Sequence, residues 1–176
     1  WIQVHLEGKP GEIGFQHGAL LAAEIKDTFK AVSTEMVHEE KKDWGFFRKA
    51  AEQVLWPHVE QQYREELNGI VEGLKSKGVK LDIWDVVALN AWLELPYYDK
   101  WYEKGTGTGA PGTGAGPGDH CSAFVATGSY TKDGRVVMAH NNWTSYSSGE
   151  RWNIMMGISR PATSFHWHLS EVPALH

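Results

Sequence analysis

The sequence predicts an α+β fold, helices first and strands last, on three observations. Apolar residues recur at helical spacing through most of residues 10–95, the period changes to two after residue 121, and a glycine-rich tract separates the two regimes. The same boundaries divide the chain into a mainly helical part over 1–104, a flexible linker over 105–120 and the start of a β-sheet part over 121–176.

The elements follow in order. Residues 1–8, WIQVHLEG, alternate as a strand does, and 10–32 then place Phe15, Leu20, Leu21, Ile25 and Phe29 near helical spacing. A second helical region covers 46–78. Pro57 should kink or break it, since proline lacks the backbone N–H and its ring clashes with the preceding turn. Its lysine-rich end and Gly78 read as a stop. A third helix covers 81–95, with Asp82 as N-cap and Asp85 in the first turn, where a carboxylate suits the helix dipole. Ile83, Val86, Val87, Asn90, Ala91 and Leu93 form its inward face. Residues 105–118, GTGTGAPGTGAGPG, hold seven of the 19 glycines and no large side chain, the composition of a flexible linker or exposed loop. No Gly-Lys-Ser/Thr and no helix pattern follow the tract, which argues against a phosphate-binding loop. CSAFVATGSY (121–130) and RVVMAHNNW (135–143) are two strand runs joined by TKDG, whose Asp133-Gly134 is a hairpin signal. RWNIMMGIS (151–159) and SFHWHLS (164–170) read as further strands. Four such strands leave a large sheet unfinished, and the first residue is Trp1 rather than Met. The natural termini are expected to lie outside the sequence.

With 41% hydrophobic and 22% charged residues, the 176-residue chain can bury a real core. Its net charge of −5 and scattered basic residues argue against nucleic acid or an anionic membrane as partner, leaving a small anionic or neutral substrate. No apolar run approaches the roughly 20 residues of a membrane-spanning helix. Nine tryptophans predict a large aromatic core or a hydrophobic pocket. One cysteine allows no internal disulfide.

That cysteine, Cys121, follows the glycine tract and opens the first strand run. Two readings are open. It is a buried small hydrophobe, or it is a nucleophile that cuts its own chain, the slack tract letting the scissile peptide turn sharply while the strand holds the thiol. In the second reading Sγ attacks the His120 carbonyl, an N-to-S acyl shift gives a thioester, and water releases Cys121 with a free α-amine. An α-amine titrates at about 7.7–8.0 and a thiol at about 8.5, so that amine can take the thiol's proton. One residue then supplies both nucleophile and base. A papain-like arrangement fits less well, because that group surrounds its cysteine with Gly-x-Cys-Trp and begins a helix there.

The run CSAFVATGSYTKDGRVVMAHNNWTSYSSGERWNIM resembles the phospholipase B-like proteins of the N-terminal nucleophile (Ntn) hydrolase superfamily. In that family a nucleophilic cysteine opens a Cys-Ser-Ala run, and a strand-turn-strand leads to Ala-His-Asn-x-Trp-x-x-Tyr with an arginine a few residues later. The matching positions are Cys121, Ser122 and Ala123, then Ala139, His140, Asn141, Trp143, Tyr146 and Arg151. Upstream, GKPGEIGFQHGALLAAEI is similar to a Gly-x₅-Gly-x₃-Gly segment of the related isopenicillin-N acyltransferase group. Thr144 stands where that group has an aspartate, so the phospholipase B-like branch is the better match. The resemblance implies a four-layer αββα sandwich, incomplete in this chain, and a self-activated acyl hydrolase with no cofactor. Its substrate would be an amide or ester of an acylated small molecule or lipid. It also implies an oxyanion-hole asparagine from farther along the polypeptide and a secreted, periplasmic or lysosome-like location. Acyl transfer to an acceptor other than water, and a non-catalytic binding or structural role with Cys121 buried, are the alternatives.

An antiparallel hairpin closing at 131–134 brings 140–144 near 121–125. His140 then lines the site beside Cys121 or is a hydrogen-bonded core residue. Asn141 and Asn142 offer amide donors to a tetrahedral oxyanion or satisfy a strand end. Asn142-Trp143-Thr144 also fits the N-glycosylation pattern, against which its place beside the site argues. Trp143, Thr144 and Tyr146 are expected as substrate-side wall, and Arg151 binds an anionic head group or pairs with Glu150 or another acid. His166 and His168 share a strand face, but no third ligand is evident and no metal is predicted. His17, His38 and His58 read as surface or satisfied core residues. The expected partners are the acyl substrate and the remainder of the same polypeptide, cleaved or missing.

Overall fold

The computed structural model describes residues 1–92, 94, 95, 121–142 and 144–159. Leu93, the glycine tract, His120, Trp143 and the strand expected at 164–170, with His166 and His168, lie outside the described residues. Strand β1 (Ile2–Glu7) leads into helix α1 (Pro10–Leu20), with Pro10 in the first turn, where a missing N–H costs nothing. The single helix expected over 10–32 is two. The chain bends at Leu21, whose buried side chain sits at the junction, before α2 (Ala22–Glu40) begins. Helix α1 leans on α4 (Gln61–Ser76), while α2 packs toward α3 (Trp44–Ala50) and α5 (Ile83–Asn90).

Contact between α1 and α4 runs backbone to backbone. A Cβ at Gly14 would stand 1.9 Å from the Glu66 carbonyl oxygen, one at Gly18 2.1 Å from that of Ile70, and one at Gly73 2.3 Å from that of Phe15. Two of the three glycines that carry the upstream resemblance, Gly14 and Gly18, thus have a packing role: with Gly73 they let two helices approach more closely than any side chain permits.

The expected break at Pro57 is present. Helix α3 passes into a π-helical turn (Ala51–Leu55) and a 3₁₀ turn (Trp56–His58) before α4 starts. The carbonyls left over are satisfied by Arg64, whose Nε donates to Val59 O at 2.8 Å and Nη2 to Trp56 O at 2.9 Å. At the far end of α4, Gly78 takes φ +76°, and bonds from Val79 N to Leu74 O and from Gly78 N to Lys75 O, both 3.0 Å, complete a Schellman stop.

Asp82 caps α5 as expected, accepting from Trp84 N at 2.9 Å and Asp85 N at 3.2 Å, while Asp85 accepts from Asp82 N at 3.1 Å. Arg48 of α3 grips the same corner. Its Nη1 and Nη2 donate to the two oxygens of Asp82 at 2.8 and 2.6 Å, and Nη1 also reaches Asp85, which accepts from Trp44 Nε1 at 2.9 Å. Hydrogen bonding from Arg48 holds the Asp82 carboxyl below the usual carboxylate range. Around this polar corner lies one core cluster, with Val32, Met36, Phe47, Ala50, Val87 and Leu95 packed by Trp44, Trp56 and Trp92. A second joins Ala22, Ile70, Leu74 and Val86. Trp44 meets Phe29 edge-on at 5.2 Å and Trp56 meets Trp84 at 5.5 Å, so part of the tryptophan excess is core.

Two small sheets complete an α+β fold. Strands β2 (Ser122–Gly128) and β3 (Gly134–Asn141) form the predicted antiparallel hairpin, with a register irregularity between Ala126 and Gly128. After a short helical turn α6 (Tyr146–Gly149), β4 (Ile154–Ser159) pairs in parallel with β1, from Ile2 opposite Ile154 to Glu7 opposite Ser159. Nothing in the local pattern announces that pairing. It joins the first strand to the last described one in a single sheet.

Candidate functional site

The hairpin sets the geometry of the site. Ser122 lies opposite Asn141 and Ala123 opposite His140, so the next register position places Cys121 across from Asn142. Side chains alternate between the two faces of a strand. Cys121, Ala123, His140 and Asn142 therefore share one face, and Ser122 and Asn141 share the other. Cys121 Sγ donates to Asn142 Oδ1 at 3.1 Å, and the thiol is exposed. His140 is the diagonal neighbour of Cys121, a relation that spans about 7–8 Å and is within reach of a long or aromatic side chain. Asn141, expected beside Asn142 at the thiol, is instead separated from it by the sheet, because adjacent strand residues point to opposite faces.

The hairpin is apolar on both faces. Phe124 and Val137 on one side and Val125, Val136 and Met138 on the other are exposed, Met138 by 65%. This composition belongs to a strand pair covered above and below. Cys121, at the head of this hairpin, is exposed with it.

The remaining candidates are placed unequally. Thr144 is half-buried. Tyr146, expected as pocket wall, is 96% exposed. Trp143 and His120 lie outside the described residues. Arg151, expected to bind a head group or to pair with Glu150 or another acid, pairs with two acids: Nε donates to Asp27 Oδ2 at 2.8 Å and Nη1 to Glu150 Oε1 at 2.7 Å. Glu150 was the foreseen partner. Asp27, 124 residues away, has no signal in the sequence. Glu35 was likewise unforeseen, and it accepts from Ser147 Oγ at 2.6 Å. His17 is half-buried, and desolvation lowers its tendency to protonate.

Two clefts of about 650 and 550 Å³ flank the loop of residues 78–81, the first between it and α2. Neither is lined by Cys121, His140 or Asn142. Among the described residues, no group of three or more His, Cys, Asp or Glu could hold a metal ion, and no helix is long and apolar enough to cross a membrane.

Chemically, the arrangement offers an accessible sulfur at a strand start with an amide across from it. With Oδ1 toward sulfur, the amide accepts the thiol hydrogen. Turned over, it would present Nδ2–H to a thiolate or to an oxyanion formed beside it.

No protein-family model matches the chain. An uncharacterized protein of Archaeoglobus fulgidus is 32% identical over 153 residues, an alignment that covers 78% of this chain and 24% of the relative. The chain spans about a quarter of the length of that relative.

Proposed function

We propose that the protein is a self-processing cysteine Ntn hydrolase that cleaves an amide or ester bond of an acylated small molecule or lipid. The observation that carries this reading is the exposed Cys121 at the head of β2, its thiol bonded to Asn142 across the hairpin and His140 diagonal to it on the same face.

In the activating step Sγ attacks the His120 carbonyl carbon, and the acyl group passes from the Cys121 nitrogen to sulfur. Water then hydrolyses the thioester, leaving a carboxylate on His120 and an α-amine on Cys121. In turnover that amine takes the thiol proton, sulfur attacks the substrate carbonyl, and the leaving amine or alcohol departs with the proton. A second water discharges the acyl group. Asn142 would donate to the oxyanion in both steps, and His140 would orient the reacting groups.

The same reading takes the fold as part of a four-layer αββα sandwich. A hairpin apolar on both faces is what an inner sheet contributes, and a relative about four times as long has chain enough to supply the covering layers. The acyl pocket would then form between this hairpin and those layers.

Intact-mass measurement is the test. Wild-type protein should resolve into two chains broken before Cys121, and Cys121→Ala should remain whole. Wild type that stays whole after prolonged incubation at neutral and mildly acidic pH would refute the reading.

A further inference from the structure

Asn142 stands between two anchors. On one side β3 is fixed by its ladder with β2. On the other, two residues on, the chain enters a segment over 144–151 that is tied to α2 at two places. Arg151 Nε donates to Asp27 Oδ2 at 2.8 Å, and its Nη1 donates to the Ser147 carbonyl. Ser147 Oγ donates to Glu35 Oε2 at 2.6 Å, and Ser148 Oγ to the same oxygen at 3.3 Å. Ser148 is buried, and Ser145 Oγ closes onto it at 3.2 Å.

Asp27 and Glu35 are eight residues apart on one helix, about 12 Å along its axis. Two grips that far apart fix the orientation of the segment as well as its position. The four residues of α6 could not hold a helical turn unaided, since nucleating one is unfavourable without tertiary support. Arg151 donates within this arrangement to Asp27, Glu150 and the Ser147 carbonyl.

We propose that the Asp27–Arg151 and Glu35–Ser147/Ser148 grips form a positioning latch through which α2 sets the place of Asn142 against Cys121. The proposal rests on the reading of Cys121 as the reactive thiol. Asp27, Glu35, Ser147 and Arg151 are positioning residues that act through Asn142. Without the grips, the chain leaving β3 has one anchor and the Cys121–Asn142 contact loosens.

The test is a double-mutant cycle read as the rate of Cys121 alkylation by iodoacetamide in the native protein, followed by mass. Asn142→Ala, Asp27→Asn and Glu35→Gln are compared singly and in pairs. Each latch variant should change the rate roughly threefold or more in the direction of Asn142→Ala, and should add nothing further when Asn142 is already alanine. A contribution to stability alone would make the effects independent, and additive rates overturn the proposal. So do wild-type rates in the latch variants, or an Asn142→Ala rate equal to wild type. Circular dichroism checks folding, and Ser147→Ala replaces any acidic variant that fails to fold. Alkylation does not require chain cleavage. An uncleaved chain with a coupled cycle refutes the function and keeps the latch, whereas a cleaved chain with additive rates does the reverse.

Discussion

Replacing Gly14 by alanine puts a methyl group 1.9 Å from the Glu66 carbonyl oxygen, where ordinary contact begins near 3.4 Å. The obstacle is backbone in a helix, so no side chain can swing aside. Relief requires α1 and α4 to separate by about 1.5 Å along a seam that also brings Gly18 against Ile70 and Gly73 against Phe15. A gap of only 0.5–1 Å already forfeits about a quarter to a half of each contact's attraction. Overpacking costs about 1–3 kcal/mol where side chains can yield, so a backbone clash sits at the upper end. Alanine returns about 1 kcal/mol of helix propensity. The net loss is about 2 kcal/mol, which lowers a urea midpoint by roughly 1 M at a typical denaturant slope. Gly11→Ala is the control. Its Cβ would lie 3.7 Å from the Glu65 carbonyl oxygen, an ordinary contact, so it should keep or raise the midpoint. Equal midpoints for the two variants would refute the close-packed seam.

Two further outcomes follow from the site and the helical corner. Asn142→Ala should slow chain cleavage by about 100-fold, the scale of a lost oxyanion donor, whereas Asn141→Ala on the other face should change it by about twofold at most. Time courses on denaturing gels measure both, and equal effects would contradict the assigned faces. Asp82 is held below its unfolded value of about 3.9 by Arg48, so the stability from this pairing is complete above that pH and lost as pH falls through the lower folded value. Arg48→Ala should cost about 3 kcal/mol at neutral pH, because Asp85 is left buried without its cation. It should also flatten the loss of stability in acid. Thermal unfolding at a series of acidic pH values checks this, and an unchanged acid slope would contradict it.

Much of the helical part was legible because its signals are local. The Asp82 cap, the break at Pro57, the stop at Gly78 and the Asp133-Gly134 hairpin each depend on residues within a few positions. The bend at Leu21 was not legible, since the apolar spacing runs through it. The β1–β4 pairing and the Arg48–Asp82 and Arg151–Asp27 contacts join positions 34 to more than 120 residues apart, where no period or motif reaches. At the site, the hairpin register was enough to bring Cys121 and Asn142 together. It also separates Asn141 from them, which strand alternation would have revealed once the register was drawn. Arg151 illustrates the opposite limit. Its residue type fits a head group or an ion pair equally well, and only the position of α2 reveals Asp27 as a partner.

The most direct test is where the chain breaks. N-terminal sequencing of purified, incubated protein should give two sequences, that of the original start and one beginning Cys-Ser-Ala-Phe from Cys121. Cys121→Ala should give only the first. A single sequence from the wild type, or a second one beginning at any residue other than Cys121, would contradict Cys121 as a self-released nucleophile.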